Sequence, residues 1–187
     1  MKSALLIIDV QHALCTGDEA AFDIEAVVAR INGLSSQARA SGVPVVLIQH
    51  DEPGGPLQKG TQGWQVYAHV VMSAHDLRVQ KTVCNSFQGT DLQVQLQAHG
   101  VGRLVVCGLQ SNHCVDATVR GALAHGYPVV LVSDAHSTTA QGGQPAAQII
   151  AHHNTTLAGL AQGEAVVTVT PAAAVSLVPG PGMPRRV

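Results

Sequence analysis

Charge is scarce in this chain. Only 12% of its 187 residues are Asp, Glu, Lys or Arg, against about 25% in an average soluble protein. So little charge often means that surface is covered in subunit contacts, and a homo-oligomer, dimer or tetramer, is expected. Basic runs are also missing. Lys and Arg stay scattered until Arg185-Arg186, and the formal net charge is −2. That balance speaks against nucleic acid or an anionic membrane surface as the main partner. No apolar run reaches the ~18 residues of a spanning helix. Met1-Lys2-Ser3-Ala4 leads straight into a strand-like run with no secretory pattern, so a cytoplasmic location is expected.

Paired cysteines are absent as well. Cys15, Cys84, Cys107 and Cys114 contain no C-x-x-C and match neither a zinc spacing nor a disulfide framework. Reduced thiols are expected, with Cys107 in the core and with Cys15 and Cys84 incidental in loops. There is no internal repeat and no sign of a second domain. Residues 1–170 are expected to form one domain, followed by a Pro- and Gly-rich tail, 171–187, that is mobile in part.

What the chain does have is alternation. Apolar runs at Ala4–Ile8, Val43–Ile48, Leu77–Gln80, Leu104–Cys107, Val129–Val132 and Ala165–Val169 suit strands covered on both faces. Helical patterns lie between them. Ile24, Val27, Val28, Ile31 and Leu34 recur at helical spacing from about Asp23. Thr90-Asp91-Leu92-Gln93 reads as a capping box opening a helix that Gly100 ends. The Gly- and Pro-rich stretch Glu52–Gly63 reads as an ordered loop or lid. This order predicts an α/β fold of three layers: a six-stranded parallel sheet with helices on both faces, of Rossmann-like topology.

In such sheets ligands bind beyond the carboxyl ends of the strands. Here the first five runs lead into Asp9, His50, Lys81, the Gln110 to Cys114 turn, and Asp134. Nearly every strand thus delivers a reactive or charged group to one rim. Cys114, read locally, opens a helix, where unpaired N–H groups and the macrodipole lower a thiol pKa and favour the nucleophilic thiolate. The same N–H groups could hold an oxyanion. A buried cysteine packing as a small apolar group is the commoner fate of a free thiol. The company of a carboxylate and an ammonium at the same rim reverses that reading, because together the three make a workable covalent hydrolase.

Three segments also carry a family resemblance. Leu6-Ile7-Ile8-Asp9-Val10-Gln11, the stretch Lys81 to Thr90 (KTVCNSFQGT) and Gly108 to Val115 (GLQSNHCV) resemble the signatures of the isochorismatase-like cysteine hydrolases. The resemblance implies a catalytic triad of Asp9, Lys81 and Cys114. It further implies a non-proline cis peptide before Gln110 that turns the N–H groups of Gln110 and Cys114 into an oxyanion hole. The family includes nicotinamidases and several amidohydrolases. Its nicotinamidases hold a metal through Asp-x-His; Asp51 is followed by Pro53 at the histidine position here, so no metal and no cofactor is expected. His50-Asp51, the loop into Trp64, Ser86 to Thr90 and Asp134 to Thr138 are similar to a branch that includes streptothricin hydrolase, which opens a lactam.

The activity so implied is hydrolysis of a non-peptide C–N bond in a small amide, ureide or lactam, through a thioester. His50, Trp64, Phe87 and His113 are the expected substrate-binding residues. Two alternatives stay open: a vinyl-ether hydrolase of the isochorismatase type, which would survive Cys114→Ala, and a binding protein on the same scaffold.

Overall fold

The computed structural model describes residues 1–178; Pro179 to Val187, most of the expected tail, lie outside the described residues. Its seven strands form one sheet. In chain order they are β1 (Lys2–Ile8), β2 (Val45–His50), β3 (Leu77–Lys81), β4 (Val101–Leu109), β5 (Val129–Ser137), β6 (Ala161–Gln162) and β7 (Ala165–Thr170). The order across the sheet is β3-β2-β1-β4-β5-β7-β6. Six of these match the apolar runs and pair in parallel; the seventh, β6, is a two-residue antiparallel flap on β7, too short to leave a pattern in sequence.

The period of two along each strand explains the layers. From β1, Ala4, Leu6 and Ile8 face one side and Leu5 and Ile7 the other, all at most 1% exposed. The first side packs on α3 (Leu92–Ala98) and α4 (Asp116–Ala124) through Leu92, Leu96, Val119 and Ala122. The second packs on α2 (Ile24–Ala40) through Ile24, Val27, Val28, Ile31 and Leu34. Each such Leu or Ile contributes about 1.5–3 kcal/mol by leaving water, so both faces hold the sheet rigidly. Helix α5 (Ala146–Leu157) adds Leu157 to the α3–α4 side.

Local details depart from the sequence pattern at several points. The capping box does not form: α3 starts at Leu92, and Thr90 instead donates to the Ser86 carbonyl and accepts from the Leu92 N–H. Cys15 is not in a loop but closes the short helix α1 (His12–Cys15) and is buried. Strand β5 runs five residues past Val132, so Asp134 lies inside it, pairs with Arg30 at 3.3 Å and accepts from the Ala172 N–H. The start of the tail is docked, with Leu177 buried beside α2 and the Ser176 carbonyl held by Arg103.

Candidate active site

Four neighbouring strands end at one rim. Register alone brings their ends together: His50 pairs with Lys81 across β2 and β3, and Ile8 pairs with both Ile48 and Gly108. Asp9 therefore leaves β1 between His50 and the end of β4. Its backbone is left-handed (φ 48°), a conformation costing an L-residue on the order of 1–3 kcal/mol. The neighbouring structure holds it there, through Asp9 N–H to the Ile48 carbonyl and Gln11 N–H to the Asp9 carbonyl. Gln11, fully buried, clasps the His50 backbone through both N–H and C=O and also donates to the Trp64 carbonyl. At Gly108 a Cβ would stand 2.1 Å from the Ile8 carbonyl oxygen, so only glycine lets β4 approach β1 this closely.

The side chains meet around one ammonium. Lys81 Nζ lies 2.6 Å from Asp9 Oδ2, 3.1 Å from Cys114 Sγ and 3.1 Å from His50 Nδ1. Three donors thus meet three acceptors. Asp9 and Lys81 are at most 2% exposed and Cys114 8%. The other carboxylate oxygen, Asp9 Oδ1, is buried with no hydrogen-bond partner among the described residues. Ligand atoms of Asp9, His50 and Cys114 lie within 4.8 Å of one another, the spacing of a metal site. The Lys81 ammonium already supplies the positive charge among them, so this donor set fits an ion pair better than a metal. Asp51, the acid of the interrupted Asp-x-His pattern, is engaged elsewhere and accepts from the Lys59 N–H.

Burial dominates the electrostatics. It raises Asp9 above the ordinary carboxylate value, and Lys81 only partly offsets this. Burial acts to lower Lys81 too, but Asp9 and Cys114 outweigh it and hold the ammonium above its usual value. His50 is lowered, by burial first and Lys81 second, which keeps it neutral with Nδ1 free to accept from Lys81. The thiol of Cys114 is raised, by burial and then by the Asp9 charge, with Lys81 opposing. This reverses the local expectation. Cys114 is not the first residue of a helix but lies inside a π-helical turn, Ser111–Val115, that runs into α4.

The Leu109–Gln110 peptide is cis. The Gln110 carbonyl accepts from the N–H groups of His113 and Val115, while its own N–H meets no acceptor among the described residues. Asp9, His50, Gln110, His113 and Cys114 line a cavity of about 270 Å³, near the lower end of the roughly 300–1,000 Å³ usual for ligand sites. Exposed Cys84 lines it as well, together with Glu52 and Leu57 of the Gly-rich loop, none of which the sequence singled out. Leu14 and Gln110 are shared with a larger neighbouring cavity of about 660 Å³.

Two expected wall residues are elsewhere. Phe87 is buried in the core, its ring 4.7 Å from that of His125 and 6.1 Å from Tyr127. The loop that carries it is pulled down on α4 by Ser86, whose N–H and hydroxyl both meet Thr118. Trp64 lines a separate depression with Gln49 and Arg78, on the outer side of the Gln11 and Gln49 side chains that hold its carbonyl.

A six-strand parallel core with reactive groups at its carboxyl rim is shared with many proteins, but the matches are specific. This chain belongs to the isochorismatase family: the model of the isochorismatase domain matches residues 3–170. It is 42% identical over 136 residues to a streptothricin hydrolase of Streptomyces noursei, covering 72% of this chain and 49% of that protein. Over 183 residues it is 29% identical to the ureidoacrylate amidohydrolase of Methylorubrum extorquens, covering 78% and 73%. Among solved structures, an isochorismatase from Pseudomonas putida superposes with a TM-score of 0.83 at 30% identity, over 93% of this chain and 90% of that one. N-carbamoylsarcosine amidase from Thermoplasma acidophilum gives 0.76 at 25% identity, over 94% and 99%. The chain spans about half the length of the streptothricin hydrolases it matches. Among the described residues no helix is long and apolar enough to cross a membrane.

Proposed function

We propose that this protein is a metal-independent cysteine amidohydrolase, cleaving a non-peptide C–N bond of a small amide, ureide or lactam through a thioester. One observation carries the reading: a buried ammonium holds a thiol and a carboxylate together, and the carboxylate keeps one oxygen without a donor. Asp9 Oδ1 accepts the Cys114 proton, and Sγ attacks the carbonyl carbon as the C=O electron pair moves to oxygen. The Gln110 and Cys114 N–H groups receive that oxyanion. As the C=O re-forms, the C–N bond breaks and the amine leaves with the proton from Asp9. Water, deprotonated by Asp9, then adds to the thioester; the acid departs and the thiol regains its proton.

Lys81 stays charged throughout and stabilises each anion in turn. A thiol raised by burial and by Asp9 supports this order, since the proton has to leave for Asp9 as attack proceeds rather than beforehand. His50 and His113 bound the cavity and supply polar contacts to substrate. The named activities of the streptothricin hydrolase, the ureidoacrylate amidohydrolase and the carbamoylsarcosine amidase support C–N cleavage. The test is an ammonia- and amine-release screen over small amides, ureides and lactams, with Cys114→Ala as blank. Release by the parent alone is expected. Release by the Cys114→Ala protein at the parent's rate would overturn the reading.

A further inference from the structure

One histidine is buried outright and takes no part in the thioester chemistry. His136, near the end of β5, is 1% exposed, and both its ring nitrogens are bonded. Nε2 lies 2.9 Å from Asn154 Oδ1, on α5, and Nδ1 lies 2.7 Å from Ser111 Oγ. The direction of each bond is determined. Asn154 donates through Nδ2 to the Ser133 carbonyl at 2.9 Å, so the atom it turns to His136 is its oxygen, an acceptor only. Nε2 of His136 therefore carries the proton. Nδ1 is left with a lone pair, and the Ser111 hydroxyl must donate to it.

The arrangement has the form of a serine–histidine–carboxamide relay, yet Ser111 is fully buried and reaches no substrate. Its place in the chain points to a different role. Ser111 begins the π-helical turn, one residue after Gln110 and three before Cys114, so its bond to His136 ties down the stretch of chain that joins the two backbone donors of the oxyanion site. Burial keeps His136 neutral, which preserves the acceptor that the hydroxyl needs. A second, outer tie joins the same turn to the end of β5: the Thr138 hydroxyl donates to Asn112 Oδ1 at 2.6 Å.

We infer that Asn154, His136 and Ser111 form a one-way hydrogen-bond relay that holds the turn presenting the Gln110 and Cys114 N–H groups, and that Ser111 and His136 are positioning residues for oxyanion stabilisation. The inference rests on the amidohydrolase reading for the role of those two N–H groups. Acyl transfer depends on donors standing close to where the oxyanion forms, and removing one donor costs roughly 10²–10³-fold. A donor left in place but misaligned costs less, about tenfold.

The test needs no known substrate. Acetaldehyde adds reversibly to Cys114 Sγ, giving a thiohemiacetal whose oxygen, protonated from the thiol by way of Asp9, occupies the oxyanion site. Iodoacetamide alkylates the same sulfur by displacing iodide, with no oxyanion. The concentration of acetaldehyde that protects Cys114 from alkylation, read by peptide mass mapping, thus reports on the oxyanion site. The unprotected alkylation rate reports on the thiol alone.

Ser111→Ala is expected to weaken protection about tenfold and to leave the unprotected rate within about twofold. His136→Leu should match it. His136→Asn, which keeps an acceptor near the position of Nδ1, should recover most of the protection, and Asn112→Ala, cutting the outer tie to Thr138 and the Asn112–Gln141 bond but leaving the relay intact, should change it by less than threefold. Unchanged protection in Ser111→Ala, or a parallel loss of alkylation rate, overturns the inference. A parent protein whose Cys114 reacts with neither reagent and which releases no amine overturns the amidohydrolase reading itself, and the inference with it.

Discussion

Lys81 Nζ stands 2.6 Å from Asp9 Oδ2 at a point where both side chains are essentially sealed from water. Such a pair is weak evidence for stability, but removing one partner leaves a buried charge uncompensated, at a cost of about 3–5 kcal/mol. Lys81→Met should therefore lower Tm and abolish hydrolysis together. Because burial already holds Asp9 above its ordinary 3.8, the lost stability is present above the raised folded value and shrinks as pH falls and Asp9 takes a proton. Thermal melts from pH 7 to pH 4 should show the gap between variant and parent narrowing. A constant gap would contradict the assignment of the penalty to Asp9.

Asp9→Asn separates two properties that a general collapse of the site would change together. Without its base, amide turnover should fall by about 10²–10⁴-fold. The Asp9 charge is also one of the influences that raise the Cys114 thiol, second to burial. Removing it lowers the thiol pKa, so the pH midpoint of Cys114 alkylation by iodoacetamide should move down relative to the parent. A midpoint that stays put or moves up would show that the carboxylate is not poised against the thiol.

The pH profile of kcat/KM is set by the same direction of shift. As pH falls, Asp9 gains a proton and can no longer accept one, so the rate drops with an acid limb above the ordinary carboxylate value of 3.8. His50, lowered by burial and Lys81, stays neutral over the working range. His50→Asn, which keeps an acceptor near Lys81, should leave that acid limb in place. Its disappearance in this variant would reassign the limb to the histidine.

Phe87 and Trp64 test the placement of the pocket. Phe87→Ala empties a core position stacked on His125 and Tyr127 and should cost about 3–5 kcal/mol of stability. Its KM, measured below the melting transition, should stay near the parent's. Trp64→Phe lies outside the catalytic cavity and should leave kcat/KM within about twofold. A tenfold rise in KM for either variant would put that ring back in the substrate site.

The same residues mark how far the amino-acid sequence alone could be read. The sheet was legible because strands buried on both faces are written as unbroken apolar runs, and the rim because Asp9, His50 and Lys81 stand at or just beyond the ends of such runs. Phe87 was not, since its neighbours His125 and Tyr127 are about forty residues away and the loop's fold onto α4 depends on Ser86 meeting Thr118. The Cys114 thiol went the same way. Local sequence reports a helix start and hence a lowered pKa, whereas burial, the larger influence, is set by strands and helices distant in the chain. The Asn154–His136–Ser111 chain spans three elements and carries no spacing signal at all.

The most direct measurement is acid-quenched mass spectrometry of the protein during turnover of an amide identified in the release screen. We expect a mass increase equal to the acyl group, mapped to the peptide that carries Cys114, removed by hydroxylamine, and absent from Cys114→Ala. An acyl group on any other residue, or full turnover by Cys114→Ala, would contradict a thioester at this sulfur.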